Sequence, residues 1–121
     1  AVEPHGYVVI AVPVGGSLHL KTACTALDDE MILANPDWVD TSIFVGKRIL
    51  SIDPAEPWAA NTLRINGTLL MNASSPRTMA RVSAAGYAVA GVDISEFAKA
   101  EAGLTCLSLV LRRNSPSQVM Q

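Results

Sequence analysis

Two kinds of side chain in this sequence can carry covalent chemistry near neutral pH: the thiols of Cys24 and Cys106, and the imidazoles of His5 and His19. A thiolate is a strong, polarisable nucleophile. An imidazole near its ordinary pKa both gives and takes a proton at neutrality. One cysteine and one distant histidine are the minimum set for thiol catalysis, and the two need only meet in space. Cys106 follows the polar, Gly-containing stretch Lys99-Ala100-Glu101-Ala102-Gly103 and stands at the start of an apolar run. A loop-to-strand junction can expose a side chain on a rigid base, which suits a nucleophile. By itself Cys106 reads more readily as a buried small hydrophobe, the usual state of a free cysteine. His19 follows the break Gly15-Gly16-Ser17, and in an extended chain it faces away from Leu18 and Leu20. His5, beside Gly6, reads as a solvated loop residue. The two cysteines could form one bridge, but they are too few for a disulfide framework and are expected to be free thiols in a reducing cytoplasm. No C-x-x-C pair and no histidine at ligand spacing point to zinc.

The elements around these residues follow from apolar pattern and turn chemistry. Tyr7–Val12 is apolar on both faces and reads as a buried strand. Leu18–Leu27 reads as a second extended stretch, closed by a turn at Asp28-Asp29. Met31–Ala34 and Ile49–Ile52 are short strand candidates, the second followed by the Pro-rich connection Asp53–Pro57. Asn61–Ile65 and Thr68–Met71 flank Asn66-Gly67, the strongest short hairpin signal, because both central residues need φ > 0. Ser75 as N-cap and Pro76 at the first position open a helix with the stripe Met79, Val82 and Ala85, which Gly86 ends. Tyr87–Val92 reads as a strand, Ser95–Lys99 as one helical turn, and Thr105–Leu111 as a last apolar strand. Strand, strand, helix, strand between Asn61 and Val92 makes a ββαβ unit. The earlier segment has room for a degenerate copy, on pattern alone.

A chain of 121 residues, half of them hydrophobic and 17% charged, is enough for one domain with a real core. The formal net charge of −2 comes with no basic stripe, which argues against nucleic acid or an anionic membrane as partner. No apolar run approaches the roughly 20 residues of a membrane span. No basic-then-apolar leader opens the sequence, so a secretory signal is not expected. The triplets Asn66-Gly67-Thr68 and Asn72-Ala73-Ser74 are accordingly read as accidental rather than as glycosylation sites.

Four segments in order carry a family resemblance. Leu18-His19-Leu20-Lys21-Thr22 resembles the L-H-L-K-[ST] motif of dimethylarginine dimethylaminohydrolases. Ser95 to Leu109 is similar to that family's closing motif, which holds its nucleophilic cysteine. Between them, Glu56-Pro57-Trp58-Ala59-Ala60-Asn61 and Pro76-Arg77-Thr78 also resemble family segments. The match runs from about Val8 to Leu111, and Lys21 after the histidine favours this family over arginine deiminases.

The resemblance implies an α/β fold, the C-terminal portion of a five-bladed α/β propeller (pentein) built from ββαβ units. Residues 1–113 would form the half-propeller and residues 114–121 a polar tail. It implies a cytoplasmic amidine hydrolase that needs no cofactor or metal and turns dimethylarginine into citrulline and dimethylamine. In it the Cys106 thiolate attacks the guanidinium carbon, and His19 protonates the leaving amine and then activates water. The backbone carbonyl of Ala100 would contact the guanidinium, with the acidic Glu101 beside it. The family's N-terminal half is missing from this sequence. With it go the carboxylate that orients the histidine, the acids that bind the guanidinium and the arginines that bind the α-carboxylate. The expected partners are therefore a methylated arginine or related guanidino compound, and either the N-terminal half or a second copy of the chain. The alternative is an inactive half-propeller that dimerises and serves as a binding module.

Overall fold

A computed structural model describes residues 3–111. Two three-stranded sheets follow one another along the chain. The first contains β1 (Cys24–Ala26), β2 (Met31–Ala34) and β3 (Arg48–Ser51), in that order. The second contains β4 (Leu63–Ile65), β5 (Thr68–Asn72) and β6 (Ala88–Val92). Both share one topology: the first pair is antiparallel and the second parallel. A parallel pair needs a crossover. In the second unit that crossover is helix α2 (Pro76–Ala84). In the first it is an irregular stretch with one 3-10 turn, Thr41–Ile43. The first unit is thus a degenerate copy of the ββαβ unit, as the pattern suggested. Short helices α1 (Leu20–Ala23) and α3 (Ser95–Ala98) flank the pair of units.

Side-chain alternation explains the packing. In β2 every residue is buried. Met31 and Leu33 enter a core shared with Leu69, Met71 and Val82 of the second unit. Ile32 and Ala34 enter a smaller cluster with Ala23, Cys24 and Val39. The shared core means that neither sheet is covered by its own unit alone. Polar ties reinforce the junction. Arg64 Nη1 donates to the Leu27 carbonyl at 2.8 Å, and Arg81 donates to the Ser51 and Ile52 carbonyls and to the Asp53 carboxylate. The Tyr87 hydroxyl donates to Asp28.

The hairpin forms as expected, with Asn66 at φ 49° and Gly67 at φ 82°. Ser75 is the N-cap of α2, but its side chain makes no capping bond. The buried face of α2 is Thr78 and Val82, with Met79 packed alongside; Ala85 is the exposed C-cap.

Three expected strands do not form. Tyr7–Val12 belongs to no strand, and Tyr7, Val8, Val9 and Ile10 are 58–87% exposed. Its apolar character predicted burial, yet no strand of the described residues pairs with it. Leu18–Leu27 is not continuously extended: α1 occupies Leu20–Ala23 before β1 begins. Thr105–Leu111 is a turn followed by exposed chain, with Leu109 at 85% and Leu111 at 81% exposure. Residues 114–121 lie outside the described residues.

Candidate active site

His19 stands at the N-terminal edge of α1, in extended conformation at φ −129° and ψ 140°. Its carbonyl accepts the Thr22 amide at 3.0 Å and the Ser17 hydroxyl at 3.2 Å, which fixes the backbone and leaves the ring exposed. The helical turn changes the side-chain distribution expected of a strand. Leu18, His19, Leu20 and Lys21 all line one open cleft, while Thr22, Ala23 and Cys24 are buried.

Thr105 and Cys106 line the same open cleft. Cys106 lies in a turn whose amides at Cys106 and Leu107 both donate to the Gly103 carbonyl, at 3.1 and 3.2 Å. Leu104 is buried and anchors the turn, and the Ser108 hydroxyl donates to the Leu104 carbonyl. The thiol of Cys106 is free and exposed; that of Cys24 is free and buried. Burial pushes the Cys24 thiol up from its ordinary value, so it holds less thiolate at neutrality. His19 and Cys106, 87 positions apart in sequence, thus line one open cleft, as does the cationic Lys21. The salt bridges among the described residues involve Arg48, Arg77, Arg81 and Lys99, and none involves His19.

The two residues expected to bind substrate stand apart from this cleft. Glu101 lines an adjoining cavity of about 290 Å³ with Thr22, Glu56, Trp58, Asn61 and Gly103, and Ala100 lines neither space. Glu101 holds a left-handed conformation, φ 57°, at the end of the α3 loop. Asn61, expected as the first residue of a strand, lines the same cavity as Glu101 and is 5% exposed. Its Oδ1 accepts the Thr105 amide at 3.1 Å and the Thr105 hydroxyl at 3.2 Å. The sequence signal was a polar residue closing the apolar segment Pro57-Trp58-Ala59-Ala60. Among the described residues no three His, Cys, Asp or Glu side chains are grouped as a metal site requires. No described helix is long and apolar enough to cross a membrane.

Known proteins share this sequence and geometry. The chain is 36% identical over 107 residues to an N(G),N(G)-dimethylarginine dimethylaminohydrolase of Pseudomonas aeruginosa, a match spanning 88% of this chain and 42% of that protein. It is 42% identical over 113 residues to the corresponding protein of Streptomyces coelicolor, spanning 93% of this chain and 43% of that one. A crystallised cysteine-to-serine variant of the Pseudomonas aeruginosa enzyme, complexed with citrulline, superposes with a TM-score of 0.78 at 33% identity, covering 87% of this chain and 41% of that chain. A histidine-to-glycine dimethylarginine dimethylaminohydrolase, an adduct with S-methyl-L-thiocitrulline, gives the same TM-score, identity and coverage. The N-terminal domain of a cyanobacterial arginine dihydrolase shares the fold at a TM-score of 0.77 and 20% identity. An amidinotransferase of Microseira wollei shares it at 0.71 and 18%. No protein-family model matches. The fold is that of part of a pentein, and the chain spans about two fifths of the length of the relatives it matches.

Proposed function

We propose that this homologue of the dimethylarginine dimethylaminohydrolases supplies the nucleophile and the proton-transfer residue of an amidine hydrolase acting on N-methylated arginine. The main support is the shared cleft of His19 and Cys106, two residues that arrive there from opposite ends of the described chain. A second support is spacing. The altered cysteine and the altered histidine of the two superposed relatives are numbered 87 positions apart, as Cys106 and His19 are.

In the proposed reaction the Cys106 thiolate attacks the guanidinium carbon and a C–Sγ bond forms. The C–N bond to the methylated nitrogen breaks as His19 gives that nitrogen a proton, and dimethylamine leaves. Water then attacks the thiouronium carbon, His19 takes its proton, and the C–Sγ bond breaks to release citrulline. The guanidinium carbon is a poor electrophile, so a thiolate is needed, and a bound cation beside it favours that form. Ala100 and Glu101 are proposed to meet the substrate from the α3 loop, which requires the substrate to extend from one space toward the other.

The groups that would orient His19 and clamp the substrate are proposed to come from the remaining blades. Loss of the orienting acid alone costs about 10⁴ in rate in a serine triad. The exposed apolar stretches Tyr7–Ile10 and Leu109–Leu111 are the surfaces such a partner, or a second copy, would cover. Citrulline formation from dimethylarginine tests the proposal. The chain alone, as a monomer, is expected to turn over little or none. Mixed with a separately expressed N-terminal half, it is expected to gain activity that Cys106→Ser or His19→Ala abolishes. Undiminished turnover in Cys106→Ser would exclude the mechanism. Full activity of the isolated monomer would exclude the missing-half account. An intact-mass spectrum of the purified chain shows whether a second polypeptide accompanies it.

A further inference from the structure

The segment Glu56–Asn61 has no role in the chemistry above, yet each end of it is tied to a different part of the chain. Both Glu56 carboxylate oxygens accept amides at the start of α2, from Arg77 at 2.9 Å and Thr78 at 2.7 Å. The Pro57 carbonyl accepts Asn35 Nδ2 at 3.1 Å, and Ala59 and Ala60 are in the shared core. Asn61, at the far end, reaches the turn that carries Cys106.

We propose that Asn61 is the positioning residue for Cys106. The orientation of its carboxamide is fixed by chemistry. The Thr105 amide can only donate, so the Asn61 oxygen must face it. The Thr105 hydroxyl donates to the same oxygen, leaving residue 105 held by both backbone and side chain immediately before the thiol. Nδ2 is then turned toward Gly103 and is buried with no partner among the described residues. A Cβ on Gly103 would stand 2.1 Å from Nδ2, so the turn can approach this closely only with glycine there. An orphaned donor costs stability wherever it is buried. A side chain chosen only to fill that space would be apolar. The arrangement makes sense when the oxygen's two bonds set where residue 105, and hence the thiol of Cys106, sits relative to His19 in the cleft.

The inference rests on the reading of Cys106 and His19 as a working pair, and one double-variant experiment separates the two. The alkylation rate of Cys106 by iodoacetamide, resolved by peptide mapping, is followed against pH in the unaltered chain, His19→Ala, Asn61→Leu and the double variant. His19→Ala is expected to move the midpoint of the profile in the unaltered chain, and to move it far less when Asn61 is Leu. An equal shift in both backgrounds overturns the role of Asn61 while leaving the pair intact. No shift in either background overturns the pair, and the inference with it. Gly103→Ala, whose new methyl must displace the carboxamide, is expected to reproduce Asn61→Leu. Amide exchange provides the fold control. Thr105 should exchange roughly tenfold faster in Asn61→Leu, as expected for one lost hydrogen bond, while β4 and β5 keep their protection. Unchanged exchange at Thr105 would likewise overturn the proposal.

Discussion

Thiols report their surroundings through the rate at which they are alkylated, and the two in this chain stand in opposite environments. Cys24 is 7% exposed and burial pushes its thiol up; Cys106 projects into an open cleft. With limiting iodoacetamide near neutral pH, label is expected on Cys106 at least about tenfold over Cys24, since only accessible thiolate reacts. Peptide mapping reads the ratio, and a preference for Cys24 would remove Cys106 as the nucleophile. Both residues of the proposed pair were legible from motifs, because Leu18–Thr22 and the segment around Cys106 carry their identity in residue type and order. The local geometry of His19 was not legible. Alternation placed it opposite Leu18 and Leu20, whereas with α1 starting at Leu20 all three line the same cleft. Four helical residues are too few for a 3.6-residue period to show. Asn61 was hidden for another reason. Its function depends on a contact with a residue 44 positions away, and nothing in its neighbours announces that.

Helix α2 is held at its N-terminus from a distance. Ser75 leaves the first amides uncapped, and Glu56 takes two of them. A carboxylate on those amides also opposes the positive end of the helix dipole. Burial works to raise the Glu56 pKa, but hydrogen bonds from the Thr78 hydroxyl and the Arg77 and Thr78 amides outweigh it, so the carboxyl titrates below its ordinary value. A lowered folded-state pKa contributes stability above the unfolded value and loses it as pH falls through the folded one. Glu56→Gln is therefore expected to cost about 1–2 kcal/mol at neutral pH. The gap should close on acidification to below the ordinary carboxylate range, as denaturant midpoints at several pH values would show. A constant gap would mean that shape rather than charge matters at this cap. The hairpin was readable from sequence because Asn66-Gly67 acts locally, and α2 because Pro76 at its first position and Gly86 beyond its end are local signals; its cap, Glu56, was not. Tyr7–Val12 and Thr105–Leu111 were misread because an apolar run states a demand for cover without naming what covers it. Val12 packs against the smaller cluster, but Tyr7–Ile10 and Leu109–Leu111 stay exposed among the described residues.

At the scale of the whole molecule the repeat was suggested only by the pattern of elements, with no residue-level repetition to carry it. β1–β3 and β4–β6 share one strand order and one pairing pattern, although only the second unit has its helix. The packing between the two units was not visible in the pattern, since period-2 alternation assigns a residue to a face and not to a neighbour. Leu33 and Met31 of one sheet meet Leu69, Met71 and Val82 of the other in a single core. That junction governs how the chain responds to heat. A unit deprived of its neighbour exposes Leu33 or Met71, each wholly buried now, and loses on the order of 1.5–3 kcal/mol for each such side chain. Since a domain's entire margin is about 5–15 kcal/mol, neither unit has enough left to survive the other's departure. Melting should therefore be all-or-none across the sixty-odd residues that span the two sheets. Calorimetry is expected to give one endotherm with matching calorimetric and van't Hoff enthalpies, and two resolved endotherms would mean that the units melt separately. For the same reason a nick between Ile52 and Trp58 should leave two peptides that stay folded only while they remain associated.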